Sequence, residues 1–333
     1  MRIFDRRTLV AALGLLGAWA AGAVELKIAT LAPEGTAWMK QLRAAAARVE
    51  RESDGRVRLK FYPGGVMGND QAVLRKLRVG QLHGGALTAG ALADRLPDAQ
   101  IYGLPLLFET WEEAAVVRRV LDPLLQADAR RAGLELLGVS SGGFAYVASR
   151  EPAPDIEALK RQRVWVPQGD RVGTAMFQVA GITPVPLPLP EVYTALQTGL
   201  LDAVVTTPTS LIAFQWHSQL EHFTDAPLAF VVGFLVVDAR AFGRLEEADQ
   251  ALLRRAVADA FAELDRLNAR DDAAAREALA AAGLRFWTPG PAERARWRAL
   301  AERAWQALAE EKVYSPARLQ RVLDALAAAR RAP

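Results

Sequence analysis

Apolar and polar positions alternate with two different periods along this chain, and the two periods take turns. "ELKIATL" (25–31) reads as a strand and ends in the turn "APEG". "AWMKQLRAAAARVERES" (37–53) then carries apolar residues at helical spacing, with Thr36 placed to cap it and Gly55 just past its end. "RVRLKFYP" is the next strand, "DQAVLRKLRVG" the next helix, and "LHGGALTAG" a strand of small residues that ends in a loop. "WEEAAVVRRVLDPLLQADARRAG" is helical, and Pro123 is expected to break or kink it. "LELLGVSSGGFAYVAS" (134–149) is extended.

From about Arg150 the alternation starts again. A turn and short helix in "EPAPDIEALKRQ" precede the strand "RVWVP". Asp170 is a good cap for the helix "RVGTAMFQVA", which Gly181 ends. "ITPVPLP" is extended, Pro190 opens the helix "EVYTALQTG", and "LDAVVTT" is a further strand. "FLVVD" (234–238) is apolar and β-branched enough to return the chain to the first unit. A helix without internal proline or glycine follows from about Glu246 to Ala282, roughly 50 Å if unbroken. "LRFWTPG" interrupts, and a last helical region runs through "RARWRALAERAWQALAEE". Two such units fit an α/β fold with mainly parallel strands, divided between two lobes. The expected division is residues 1–23 as a signal peptide, 24–148 with about 237–265 as lobe 1, and 149–236 with about 266–333 as lobe 2 and the C-terminal helices.

The leader has its own logic. Arg2, Arg6 and Arg7 precede an apolar run from Leu9 to Trp19, and Ala21-Gly22-Ala23 forms an A-x-A cleavage site. The run is short for a membrane span. The mature chain is expected to start near Val24 as an exported periplasmic protein, by the general secretory route in preference to the twin-arginine one.

Composition then removes classes of function. There is no cysteine, so disulfides, thiolate catalysis and cysteine metal sites are excluded, as is a lipoprotein anchor. His83, His217 and His222 are not spaced to share a helix face, and neither metal nor cofactor is expected. A net charge of +3, with arginine distributed beside acidic residues, offers no basic stripe for nucleic acid. Gly138-Val139-Ser140-Ser141-Gly142 matches G-x-S-x-G, and Asp202 and His222 would complete a triad in order, but the proline-broken segment that follows cannot form the helix a nucleophile elbow needs. The glycine-rich run 84–90 lacks a phosphate-loop lysine and suits close approach, of a ligand or of a helix.

Several segments together resemble one family. "LKIATLAPEGTAW", "YPGGVMGNDQAVLRKLRVGQLHGGALTAGAL", "YGLPLLFETWEEA", "DIEALKRQRVWVPQGD" and "PLPEVYTALQTGLLDAVVTTP" are similar, in order and spacing, to the solute receptors of tripartite ATP-independent periplasmic (TRAP) transporters, the DctP-like type. The likeness covers residues 24–285. It implies a two-lobed, type II-like binding protein with hinge strands and a long helix across both lobes. A solute would sit in the interlobe cleft and be delivered to an ion-gradient-driven permease. The receptor would bind without catalysis, as a monomer or possible homodimer.

One position departs from the family. The segment Leu159 to Pro167 carries Trp165 where the family has the arginine that clamps a carboxylate. A guanidinium offers a charged planar fork, whereas indole offers one N–H and a large apolar face. The expected solute is therefore neutral, apolar or aromatic, an expectation supported by Thr206-Thr207-Pro208 and by Phe144, Phe108 and Tyr102. Candidate solute contacts are Trp165, Phe144, Arg150, Gln168, Thr206, Thr88, Glu34 and Trp38. The alternative is an organic-acid receptor that uses Arg150, or else Arg163 or Arg171. Two further alternatives are a secreted hydrolase using Ser140 and a sensor or scaffold that has left transport. Replacing Trp165 by alanine is expected to abolish binding while the fold stays intact.

Overall fold

The computed structural model describes residues 23–331; the expected signal peptide lies outside the described residues except for Ala23. Nine strands are present among them: β1 (Val24–Thr30), β2 (Val57–Tyr62), β3 (Gly84–Thr88), β4 (Leu134–Ser149), β5 (Trp165–Pro167), β6 (Val185–Leu187), β7 (Ala203–Thr206), β8 (His222–Asp238) and β9 (Arg285–Trp287). The main sheet runs β2-β1-β3-β8-β4-β7, with β9 on β8. β5 and β6 form a parallel pair, joined to β7 by a bridge between Val164 and Ala203.

Two long strands, β4 and β8, make this one molecule out of two halves. Residues 134–143 of β4 pair with 231–238 of β8 beside β1–β3, and residues 144–149 pair with 222–230 beside β7. Register shifts at Leu136/Gly138, Ser141/Gly143 and Ala145/Val147 bend the pair between the halves. Bulges of this kind raise local twist and change strand direction. The sequence reading found β4 at its full length but only the last five residues of β8. Asp225 and Pro227 obscure the strand's first part, although a proline fits beside a bulge.

The helix Glu247–Ala281 is continuous over 35 residues, about 50 Å. It packs on the helix Ala37–Glu52 and on β4. Gly138 makes the second contact possible, because a Cβ there would lie 2.8 Å from the ring of Phe261. Farther along, Asp265 fastens the helix to the crossover. Its carboxylate accepts the Ser141 N–H at 2.6 Å and the Ser140 hydroxyl at 3.1 Å, and it meets the guanidinium of Arg118, which also reaches Asp122 at 3.1 Å. Ser140 is thus fully buried inside β4 and committed to a structural bond, which removes it as a nucleophile. Asp265→Asn is expected to lower stability by about 2–3 kcal/mol in urea unfolding, because charge-assisted bonds at a mostly buried arginine are lost together.

The helix Trp111–Arg131 continues through Pro123 without a break. The final helix, Pro316–Arg331, was not expected from the sequence. It packs on Trp111–Arg131 of the first half through Arg330–Glu113 at 2.7 Å and Arg318–Asp128 at 2.9 Å. The end of the chain, grouped with lobe 2 in the sequence reading, therefore touches both halves: the helix Pro291–Glu310 packs on Arg171–Val179, and Trp305 donates to the Pro105 carbonyl at 3.0 Å. No described helix is long and apolar enough to cross a membrane.

Candidate functional site

The carboxyl ends of β3, β5 and β7 meet at a cavity between the halves, the place where open α/β sheets gather ligands. It measures about 170 Å³. The first half supplies Thr88, Ala89, Gly90, Gln100, Gly103 and Pro105. The second supplies Trp165 to Pro167, Asp170 and the inner face of the helix Arg171–Val179 through Val172, Gly173, Met176 and Phe177. Ala145, Val205 and residues 228–232 of β8 form the floor.

The lobes touch around this cavity. A Cβ at Gly90 would sit 3.3 Å from the Gly169 carbonyl oxygen and 3.4 Å from the Asp170 Cα. Asn69, the cap of the helix Asp70–Arg78, donates to the Gln168 side chain at 3.4 Å. The glycine-rich run meets one of the purposes expected of it, close packing of a helix, since a Cβ at Gly85 would crowd Val73 of the neighbouring helix at 2.9 Å; Gly90 in addition admits the opposite lobe.

Trp165 lines the cavity and is also a core residue. It is 3% exposed, its Nε1–H donates to the Leu187 carbonyl at 3.0 Å, and its ring meets Trp216 edge-on at 5.2 Å. Its one donor is therefore used, and only ring surface faces the cleft. Thr88 lines the cavity as well, held by Asp70, which accepts from its hydroxyl at 2.8 Å and its N–H at 3.2 Å.

The other six candidates lie off the cavity wall. Phe144 is one layer behind, edge-on to Phe230 at 5.1 Å and to Trp111 at 6.1 Å. Thr206 is buried in β7 opposite Tyr146. Gln168 takes part in the interlobe contact through Asn69. Trp38 packs on Phe261 at 5.1 Å, and Glu34 is exposed and paired with Arg43 at 2.9 Å. Arg150 donates to the Leu196 carbonyl. Arg163 and Arg171 pair with Asp202 at 2.6 Å and Glu311 at 2.9 Å. Of the supporting aromatics, Tyr102 is a core residue whose hydroxyl meets Asp122.

Sequence reasoning missed Gly90, Asp170, Phe230 and Asp70 as parts of this site. Asp170 was identified as a cap, which it is, accepting the Gly173 N–H at 3.0 Å. Burial pushes its carboxyl above the ordinary aspartate range, against the opposing pull of the Gly173 and Val172 N–H groups. Burial raises Asp70 in the same way, against its bonds from Thr88. Among the described residues, none that lines the cavity is lysine or arginine. The arrangement can enclose a small solute on largely apolar walls, and it brings no nucleophile and base together.

The fold is shared with known proteins. A TRAP periplasmic solute-binding protein from Xanthobacter autotrophicus, bound to β-D-galacturonate, superposes with a TM-score of 0.84 at 20% identity, over 91% of this chain and 99% of that one. A Bordetella pertussis extracytoplasmic solute receptor binding pyroglutamic acid gives 0.84 at 21% identity, over the same shares. Among curated relatives, the sialic acid-binding periplasmic protein SiaP of Vibrio cholerae is 23% identical over 241 residues, 71% of this chain and 74% of SiaP. The 2,3-diketo-L-gulonate-binding periplasmic protein YiaO of Escherichia coli is 27% identical over 218 residues, 62% of this chain and 64% of YiaO. Residues 28–312 match the bacterial extracellular solute-binding proteins of family 7, DctP. With that match over most of its length and the two-lobed fold around a solute-sized cleft, the chain belongs to the DctP-like solute-binding receptors of TRAP transporters, which are binding proteins and not enzymes.

Proposed function

We propose that the protein captures a small organic acid with an apolar body in the interlobe cleft and hands it to the membrane subunits of a TRAP permease. The acid half of this reading rests on the chemistry of related receptors: galacturonate, pyroglutamic acid, sialic acid and 2,3-diketo-L-gulonate are all acids. The apolar body rests on the walls, where Trp165, Met176, Phe177 and Phe230 outnumber the polar groups. The mechanism is binding without chemistry. A solute touched by both lobes at once favours the shut form, and the permease takes the solute from that form.

A second reading, a neutral apolar solute, is favoured by a separate observation. Among the described residues the cavity wall lacks a cation, and two half-buried carboxyls whose pKa is raised stand at it, Asp170 in the wall and Asp70 bonded to Thr88 of the wall. The two readings separate in a thermal-shift panel that pairs each acid with its methyl ester. For pyroglutamate at about 100 times Kd, the acid reading expects the midpoint to rise by about 5 °C and the ester to do nothing. A rise with the esters alone would replace the acid by the neutral solute. A flat response across acids and esters of this size would remove both readings.

A further inference from the structure

A second cavity, of about 180 Å³, adjoins the cleft and shares the side chain of Leu228 with it. Its walls come from the loop carrying Leu106 and Phe108, from the hinge strand β8, and from the helix Pro291–Glu310. Leu106, Phe108, Leu228 and Trp297 make an apolar floor, and Arg294 and Arg298 stand at the rim.

Neither arginine is saturated. A guanidinium has five N–H donors. Arg294 uses Nη1 on the Pro289 carbonyl at 2.8 Å, and Arg298 reaches one oxygen of Glu109 with Nη1 and Nη2, both at 3.4 Å. The Arg298–Glu109 contact is long for a charge-assisted bond, whose usual span is about 2.7–2.9 Å. An anion with better geometry can therefore displace Glu109, which is exposed. The volume is close to that of cavities of about 150 Å³ that hold one benzene ring.

We infer that this cavity is a second binding site, one that takes a single-ring aromatic anion with its ring on Phe108, Leu228 and Trp297 and its charged group between Arg294 and Arg298. The site is separate from the cleft except along one shared wall. The closest link between them is Leu228, together with the edge-on contact of Phe108 and Phe230 at 5.4 Å.

The test uses 4-fluorobenzoate as probe and 19F NMR titration of the mature chain. Saturable binding is expected, about tenfold weaker in the Arg294→Ala/Arg298→Ala double variant and about tenfold weaker for fluorobenzene on the unaltered protein. Both arginines are exposed, so circular dichroism of the double variant should match the parent. Ala226→Phe, which fills the cavity without touching either charge, is expected to abolish binding. Absence of saturation at 10 mM probe, chosen as roughly the weak limit for so small a ligand, would overturn the site. So would binding that survives both the double variant and Ala226→Phe, since the probe would then lie in the cleft.

Discussion

Gly90→Val is expected to leave the fold intact and to weaken solute binding by about 10–100-fold. Gly90 follows β3 on the first lobe and meets Gly169 and Asp170 of the second. A Cβ at Gly90 would lie 3.3–3.4 Å from backbone atoms of Gly169 and Asp170, tight for alanine and leaving no room on that side for the two further carbons of valine. The backbone at Gly90 does not lie in the left-handed region, so substitution strains nothing in the lobe itself. The clash exists only when the lobes are shut. Overpacking of this kind costs about 1–3 kcal/mol, and the whole of it acts on the closing equilibrium. Affinity falls by the factor through which the shut state is depopulated. Gly90→Ala should lose only a few-fold, giving a graded series. Calorimetric titration with the solute identified from the panel checks the affinities, and urea unfolding checks that stability is unchanged. Equal affinity in Gly90→Val would mean that the solute-bound form is not shut at this seam.

The fold was readable because local signals agreed with one another. Thr36, Asp170 and the uninterrupted run 247–281 each carry a boundary or a length in their own residues, and each stands where periodicity placed it. β8 was readable only at its apolar end. Its first half is fixed by pairing with 144–149 of β4, a partner some eighty residues away that no local pattern announces. The helix Pro316–Arg331 was missed for a related reason: its ion pairs to Asp128 and Glu113 are long-range, and its alanine-rich surface resembles that of the helix before it.

The candidate site was legible at its centre and not at its edge. Thr88 ends β3 and Trp165 opens the three-residue β5, and short strands with their ends can be located from sequence. Phe144 was displaced by one layer because the shift between Ser141 and Gly143 alters which side chains of β4 face which way. The arginines were the hardest to place. Arg150, Arg163 and Arg171 differ from a carboxylate clamp only in their partners, and those partners, Leu196, Asp202 and Glu311, come from other elements. Gly90 was legible only as part of a run of small residues suited to close approach; that the approaching group is the other lobe is set by residues 169–170, far away in sequence.

Trp165→Ala is expected to cost about 3–5 kcal/mol of stability in addition to solute affinity, which corrects the sequence-based expectation of an intact fold. The indole is 3% exposed and packs on Trp216, itself stacked on Phe214 at 5.2 Å. Removing it opens a void beneath the cleft and takes one of two donors from the Leu187 carbonyl, which keeps the Gln168 N–H at 3.2 Å. Loss of binding in this variant would therefore not isolate a ligand contact. Trp165→Arg does. A guanidinium in that pocket is largely withdrawn from water, and the carboxyls at the cavity, Asp170 and Asp70, are already engaged by the Gly173 N–H and by Thr88, so the unliganded variant should melt below the parent. A carboxylate solute entering the cleft would supply the missing partner and restore part of the loss. The variant's midpoint should then rise more with pyroglutamate than the parent's does, and hardly at all with the methyl ester. If acid and ester raise it equally, the side chain at 165 does not face the solute, and the apolar walls opposite it, Met176, Phe177 and Phe230, must carry recognition instead.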